Sequence, residues 1–206
     1  MFVLTIDQRG SRTHGDKVPQ LLEVLAGADT AVPFDRSVGD EVQGVMVDAD
    51  AVVGVVARVL RLRDWYIGIG IGGVDVPLPS SSREGSGDAF ISAREAVEAA
   101  KKMGERVPLR IKTQTDSQWA EAAEAVLALF GDLVRKRSGA EWRVLDALEA
   151  APLATQKDVA AHLGISPQAV SKAITRSGRL EEANGRRAAA LLLRQAQQTL
   201  NVGPGS

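Results

Sequence analysis

The chain has 206 residues, enough for two small domains that each bury a core, and its 45% hydrophobic and 25% charged residues are ordinary for a soluble globular protein. It holds no cysteine, which excludes disulfides, thiolate metal sites and cysteine nucleophiles. No apolar run reaches the roughly 18 residues of a membrane span, and with a net charge of −1 any footprint for a polyanion has to be local.

Taken in order, Phe2–Asp7 (FVLTID) reads as a buried strand that ends in an acid. Because no basic leader precedes it, the start reads as a strand rather than a secretory signal, and the expected location is the cytoplasm. Gln8–Asp16 is polar and Gly-containing, a loop, and Val18–Ala26 has Leu and Val at helical spacing. Thr30–Asp35 and Glu41–Asp48 are strand-like, joined by the turn signal Arg36-Ser37-Val38-Gly39-Asp40. Ala49–Arg63 is an amphipathic helix. Trp65–Ile71 (WYIGIGI) is a strand whose alternating glycines imply close approach of another backbone or a ligand. Gly72–Gly87 reads as a loop or protruding arm, and its Ser80-Ser81-Ser82-Arg83 invites a phosphate-binding reading beside that of a flexible surface arm. Asp88–Met103 is helical and Pro108–Lys112 a last short strand. The order strand–helix–strand–strand–helix–strand, extended by one helix and one strand, is that of a ferredoxin-like α+β domain. GIGIGG is no dinucleotide fingerprint, since it lies inside a strand rather than at a strand-to-helix turn.

A boundary falls near Lys112–Ser117, giving an α/β domain over 1–112, a linker or dimerisation helix over 113–139 and an all-α domain over 140–202. Gln118–Arg137 is a long helix with Trp119, Ala123, Val126, Leu127, Phe130 and Val134 on one side. That face suits either the protein's own core or a homodimer contact. Glu141–Ala150 is a further helix, Arg179–Gly185 a minimal wing or turn, and Arg186–Leu200 a terminal helix, with Gly203–Ser206 frayed.

The most informative run is Gln156–Thr175, QKDVAAHLGISPQAVSKAIT. Lys157–Leu163 and Pro167–Arg176 read as two short helices around a Gly164–Ile165 turn. Ala160 allows a close helix crossing, Gly164 accepts a positive φ, Ser166 is a good N-cap, and Pro167 falls at the first helical position. Val159, Leu163, Ile165, Val170 and Ile174 supply an apolar face, leaving Gln168, Ala169, Ser171, Lys172, Thr175 and Arg176 to point outward. Amide, hydroxyl and cationic groups on one exposed face suit a helix in a DNA major groove, with Ser166 at its entry. The alternative is a helical hairpin whose polar face is merely solvated. From Lys172 to Arg194 the cations are Lys172, Arg176, Arg179, Arg186, Arg187 and Arg194 against Glu181 and Glu182, so phosphate contacts are expected there. This run resembles the helix-turn-helix of bacterial transcription regulators, including winged regulators of the MarR type.

In a ferredoxin-like sheet the first strand lies beside the hairpin, so Asp7 and Asp40 are candidates to meet at one edge. Two converging carboxylates repel unless a cation, such as Mg²⁺, binds both. Glu41 is a third candidate, although alternation from Asp40 turns it to the other face. The competing reading has Asp7 capping a loop and Asp40 in an ordinary turn.

The segments IDQRGSR, FDRSVGDEVQGVM, WYIGIGIG and SGDAFISAREA, in this order, resemble the SatD family and the palm-type catalytic domains of class III nucleotidyl cyclases and GGDEF proteins, over roughly residues 1–112. The C-terminal helix-turn-helix also fits SatD-like proteins. The resemblance implies a palm fold with metal held at Asp7 and Asp40. It also implies nucleotide phosphates cradled through Gly10 and Ser11, with charge-assisted contacts from Arg12 and Arg94. The chain departs from the pattern at Ser92, where relatives carry Asn. It offers no evident general base, His14 and His162 being its two histidines. The first expectation is therefore a dimeric regulator that reads double-stranded DNA. Nucleotide and Mg²⁺ at Asp7 and Asp40 would alter the pairing of the 118–137 helices, and with it the spacing of the recognition helices. An active nucleotidyl cyclase or transferase is the alternative, and a protein-binding scaffold a third possibility.

Overall fold

A computed structural model describes residues 1–104 and 106–201, with the side chains of all of these except Arg12, His14 and Asn201. Five strands form one mixed sheet in the order β2-β3-β1-β4-β5. They are β1 (Phe2–Gln8), β2 (Val32–Arg36), β3 (Glu41–Met46), β4 (Trp65–Ile71) and β5 (Leu109–Thr113). The central strand β1 runs antiparallel to both β3 and β4, β2 runs antiparallel to β3, and β5 runs parallel to β4. The helices are α1 (Ser11–His14), α2 (Val18–Leu25), α3 (Ala49–Leu62), α4 (Asp88–Lys101), α5 (Gln118–Lys136), α6 (Gly139–Ala150), α7 (Gln156–Leu163), α8 (Pro167–Arg176) and α9 (Arg179–Asn201). Expected element boundaries agree to within a few residues. The exceptions are α1, inside a segment read as loop, and α9, whose start takes up the segment read as a wing. Gly203–Ser206 lie outside the described residues.

Alternation along β1 and β4 divides the two sides of the sheet. Phe2, Leu4 and Ile6 of β1 and Ile67, Ile69 and Ile71 of β4 face one apolar cluster, which they share with α2, α3, α5 and α9. On the other side Gly68 and Gly70 receive α4 so closely that a Cβ on either would overlap its backbone, at Ala93 and Val97 or at Ala89 and Ala93. The close approach expected from WYIGIGI is thus made by a helix that is itself lined with Ala89, Ala93, Ala96 and Ala100.

The continuity of the first cluster corrects the expected division of the chain. Ala123, Leu127, Phe130 and Val134 of α5, with Ala189, Ala190, Leu193 and Ala196 of α9, belong to the same core as the sheet. The 113–139 segment is therefore no linker, and its apolar side is not available for pairing with a second copy. Among the described residues α4 closes a second cluster with Val3, Val32 and Val45, and α6, α7 and α8 surround a separate small core of Val144, Val159, Ala160 and Val170, with Trp142 of α6 packed against the first. No helix among the described residues is long and apolar enough to cross a membrane.

Candidate nucleic-acid interface

The α7–turn–α8 unit is built from local signals. Thr155 Oγ1 accepts from the Asp158 amide while the Asp158 carboxylate accepts from the Thr155 amide, a capping box that starts α7 at Gln156. Those hydrogen bonds from Thr155 also hold the Asp158 carboxyl below its usual pKa. Gly164 ends the helix at φ 65°, and the Ile165 amide returns to the Ala160 carbonyl at 3.0 Å. Ser166 Oγ then accepts from the Ala169 amide at 3.2 Å, with Pro167 in the first turn of α8. Val170 is completely buried against Val159 and Ala160, and Leu163 and Ile174 are half-buried beside them. Ile165, expected on the same apolar face, is 40% exposed, because the turn carries it outward.

All the residues expected at a duplex are exposed: Ser166, Gln168, Ser171, Lys172, Thr175 and Arg176. Gln168, Ser171, Lys172 and Thr175 recur at helical spacing on one side of α8, and Thr175 Oγ1 donates to the Ser171 carbonyl at 3.1 Å. The expected basic excess is narrower than its residue count. Arg186 is paired with Glu182, Arg194 reaches Asp50 on α3 at 2.5 Å, and Arg187 bonds Asn184. Lys172, Arg176 and Arg179 remain, all three exposed. Residues 179–185 are the first turns of α9, so among the described residues no strand follows α8 and the minimal wing is not formed.

Sequence reasoning missed the joint that fixes this three-helix head to the body. Arg137, at the α5–α6 junction, is buried: its Nε donates to the Ser177 carbonyl at 2.7 Å and its Nη1 meets the Glu182 carboxylate at 2.5 Å. Its backbone carbonyl accepts from Arg63 at 2.9 Å. Nearby, Arg61 of α3 makes two 2.7 Å bonds to Asp146 of α6 and lies 4.0 Å from the Trp142 ring centroid, with the Arg137 guanidinium at 4.9 Å from the same ring. A lone Arg-Lys-Arg run at a helix end carries no sequence signal of burial. The partner Glu182 lies beyond the whole head, so only the fold reveals the pair.

The acidic corner lies elsewhere, at the end of β1. Asp7 pairs in register with Glu41, and it is the neighbouring Gln8 amide that bonds the Asp40 carbonyl at 3.3 Å. Directly opposite residues in an antiparallel pair share a face, so the register puts Glu41, not Asp40, across from Asp7. This reverses the alternation expected from the sequence. Asp40 sits in the turn before β3, and Glu41 Oε1 accepts from Ser37 Oγ at 2.5 Å. The charge facing Asp7 comes from α4: Lys101 Nζ lies 2.9 Å from Asp7 Oδ2 and 2.8 Å from Glu98 Oε1. Burial raises the Asp7 pKa; the Lys101 hydrogen bond and charge oppose this, the charges of Asp40 and Glu41 add to it, and the outcome is a raised value. Burial works against the Lys101 ammonium, yet its bonds to Glu98 and Asp7 win and its pKa is raised. An ammonium already occupies the cation position beside Asp7, and no group of three or more His, Asp or Glu able to hold a metal occurs among the described residues.

The residues expected around nucleotide phosphates lie on two elements, the start of α1 and α4. Gly10, at φ 65°, and Ser11 open the four-residue α1 beyond the end of β1, and the Arg12 and His14 side chains lie outside the described residues. Arg94 lies on the exposed side of α4 and lines a cavity to which neither Gly10 nor Ser11 contributes. Ser92, the departure from the SatD pattern, is fully buried and accepts from Gln114 Nε2 at 2.8 Å. His162 is exposed on α7.

Comparison with known proteins adds one match. The family model for the MarR family covers residues 137–176, about a fifth of the chain, running from the joint residue Arg137 through α6, α7 and α8. No curated protein and no solved structure matches the chain. With the exposed polar side of α8, the match supports a helix-turn-helix region of the kind found in DNA-binding transcription regulators; the α/β body and α9 lie outside it.

Proposed function

We propose that this protein is a DNA-binding transcription regulator of the SatD type, with α8 as the recognition helix in the major groove. The carrying observation is the conjunction of the MarR-family match over 137–176 with an exposed Gln168, Ser171, Lys172, Thr175 and Arg176 on α8. Gln168 offers an amide that suits adenine, Lys172 and Arg176 suit guanine or phosphate, and Ser166 sits where α8 enters the groove. Acting from the cytoplasm, two copies bind paired half-sites as a homodimer, since two-fold operators call for two-fold proteins. They meet through surfaces other than the apolar side of α5, which the core consumes.

The N-terminal sheet is read as palm-like. Its first four strands, in the order β2-β3-β1-β4 and antiparallel throughout, support a ferredoxin-like topology with β5 added at the edge. In this reading the body binds a nucleotide and acts as the sensor. The cyclase or transferase alternative draws no support from the acidic corner, because Lys101 takes the place beside Asp7 that a catalytic metal would need.

The test is titration of labelled genomic fragments with the full chain and with the Lys172→Ala/Arg176→Ala double variant at several salt concentrations. A weaker affinity and a shallower salt slope in the variant bear out the recognition helix; identical curves refute it.

A further inference from the structure

The segment 72–87 was expected to be a loop or arm, and it is neither loose nor idle. The Ala89 amide bonds the Gly73 carbonyl at 3.0 Å, the Asp75 amide bonds the Ser86 carbonyl at 3.0 Å, and Ser86 Oγ donates to Asp75 at 2.7 Å. Further along, Ser81 Oγ donates to Asp35 at 3.3 Å and Arg83 Nε donates to the Arg36 carbonyl. Gly85 lies flat on the Phe90 ring, where any Cβ would overlap the aromatic carbons. The arm is thereby bound on one side to β2 and on the other to α4. Between arm, α4 and the β2–β3 turn it leaves a cavity of ≈ 540 Å³.

The lining of that cavity is chemically selective. Arg83 stands on the arm and Arg94 on α4, against Glu95 as the one carboxylate in the lining. Among the described residues the Arg94 side chain has no hydrogen bond or ion pair, and the Arg83 side chain has only the bond from its Nε, which fixes the guanidinium and leaves its terminal nitrogens unengaged. Six other arginines, Arg36, Arg61, Arg110, Arg137, Arg186 and Arg194, are paired with carboxylates, whereas Arg176 and Arg179 near the recognition helix are not, among the described residues. Two unneutralised guanidiniums around one cavity suit a carboxylate or phosphate, which their planar donors grip in pairs. The rest of the wall sets apolar side chains beside the polar Ser37, Gln43 and Ser86. Phe90 forms part of it, and Val38 and Ile91 are left 77% and 52% exposed. The volume is in the range of small-molecule sites, roughly 300–1,000 Å³.

We infer that this cavity between the 83–87 arm, α4 and the β2–β3 turn is a binding site for a small organic anion, a carboxylate or phosphate carried on a flat apolar body, held by Arg83 and Arg94. The anion is gripped by the two arginines while the apolar body lies along Phe90, Val38 and Ile91. The site shares Arg94 with the nucleotide reading but not Gly10 or Ser11, so it gives the body an effector site even if the Gly10–Ser11 cradle plays no part. A nucleoside monophosphate and an aromatic carboxylate both have the required chemistry, so the experiment carries an arm for each.

Isothermal titration of the full chain uses adenosine 5′-monophosphate, 1-naphthoate and inorganic phosphate as separate probes. It compares the parent with Arg94→Gln, with Arg83→Gln and with Lys112→Gln, a charge change on the opposite edge strand β5. The expected result is that at least one organic anion binds more tightly than inorganic phosphate, that each arginine variant weakens it by about 10-fold or more, and that Lys112→Gln leaves it unchanged. Which organic anion binds identifies the source. Arg94→Gln lies on a helix surface and disturbs none of the arm's contacts, so its result stands even if Arg83→Gln loosens the arm. No binding of either organic anion, equal affinity in the arginine variants, or phosphate binding as well as both would overturn the assignment. DNA affinity of the same variants, measured without added anion, is expected to match the parent, so this site and the recognition helix fail independently.

Discussion

The body and the head of this protein hold together by different means. The body spreads one apolar core over the sheet, α2, α3, α5 and α9, sealed on its other side by a glycine strand pressed against an alanine-rich helix. The head closes on four buried aliphatic side chains, Val144, Val159, Ala160 and Val170. So small a core buries too little apolar surface to hold three helices alone. Its order comes also from caps within each helix and from a polar joint to the body at Arg137 and Arg61. The part that reads as the DNA-contacting surface is thus the part that leans on the other.

Four experiments break or sharpen that contrast. The largest effect belongs to Arg137→Met. It leaves Glu182 buried with only the partly exposed Arg186 for company, and breaking a buried pair costs about 3–5 kcal/mol. The head is expected to unfold at lower urea than the body, visible as loss of α6–α8 amide protection while the sheet stays protected. Adding Glu182→Leu should recover much of the loss, as removal of both charges does elsewhere.

Next, Gly70→Ala strikes the body alone. The added methyl overlaps the Ala89 carbonyl and the Ala93 amide, backbone that has nowhere to move, and an expected loss of about 1–3 kcal/mol should appear in the thermal transition. DNA affinity below that transition should be unchanged. If it falls as well, head and body are not separable in the way their cores suggest.

The Lys172→Ala/Arg176→Ala variant gives the reverse pattern. Each lost phosphate contact lowers the salt slope by about 0.9, whereas stability should stay within about 0.5 kcal/mol because both side chains are exposed.

The smallest effect concerns Asp7. Its pKa is raised in the folded protein, first by burial, so between the unfolded value of 3.8 and the raised folded value the native state holds more protons than the unfolded chain. Stability therefore falls as pH rises through that window, and the cost persists above it. Asp7→Asn should gain on the parent in urea midpoint as pH climbs from below 3.8 towards neutrality. A gap that moves the opposite way would mean that Lys101 outweighs burial and the Asp40 and Glu41 charges.

Much of both regions was legible before any coordinates, for reasons that lie within a few residues of each other. Gly164, and Ser166 with Pro167, specify where α7 stops and α8 starts, because capping acts over three or four residues. The apolar run of β1 and the glycines of β4 likewise announced a buried strand and a close neighbour. What the chain alone did not determine joins positions far apart. Tertiary structure decided that α5 and α9 complete the body's core instead of leaving an apolar face for a partner. It decided that Glu41 rather than Asp40 faces Asp7, since a one-residue step in register exchanges the two sides of a strand. It brought Lys101 to Asp7 and Glu182 to Arg137 across the length of whole helices, and it folded the 72–87 arm against α4 so that Arg83 and Arg94 share one cavity. Caps and apolar runs are written in neighbouring residues; charge partners and cavities depend on how finished elements pack, and no local pattern encodes that packing.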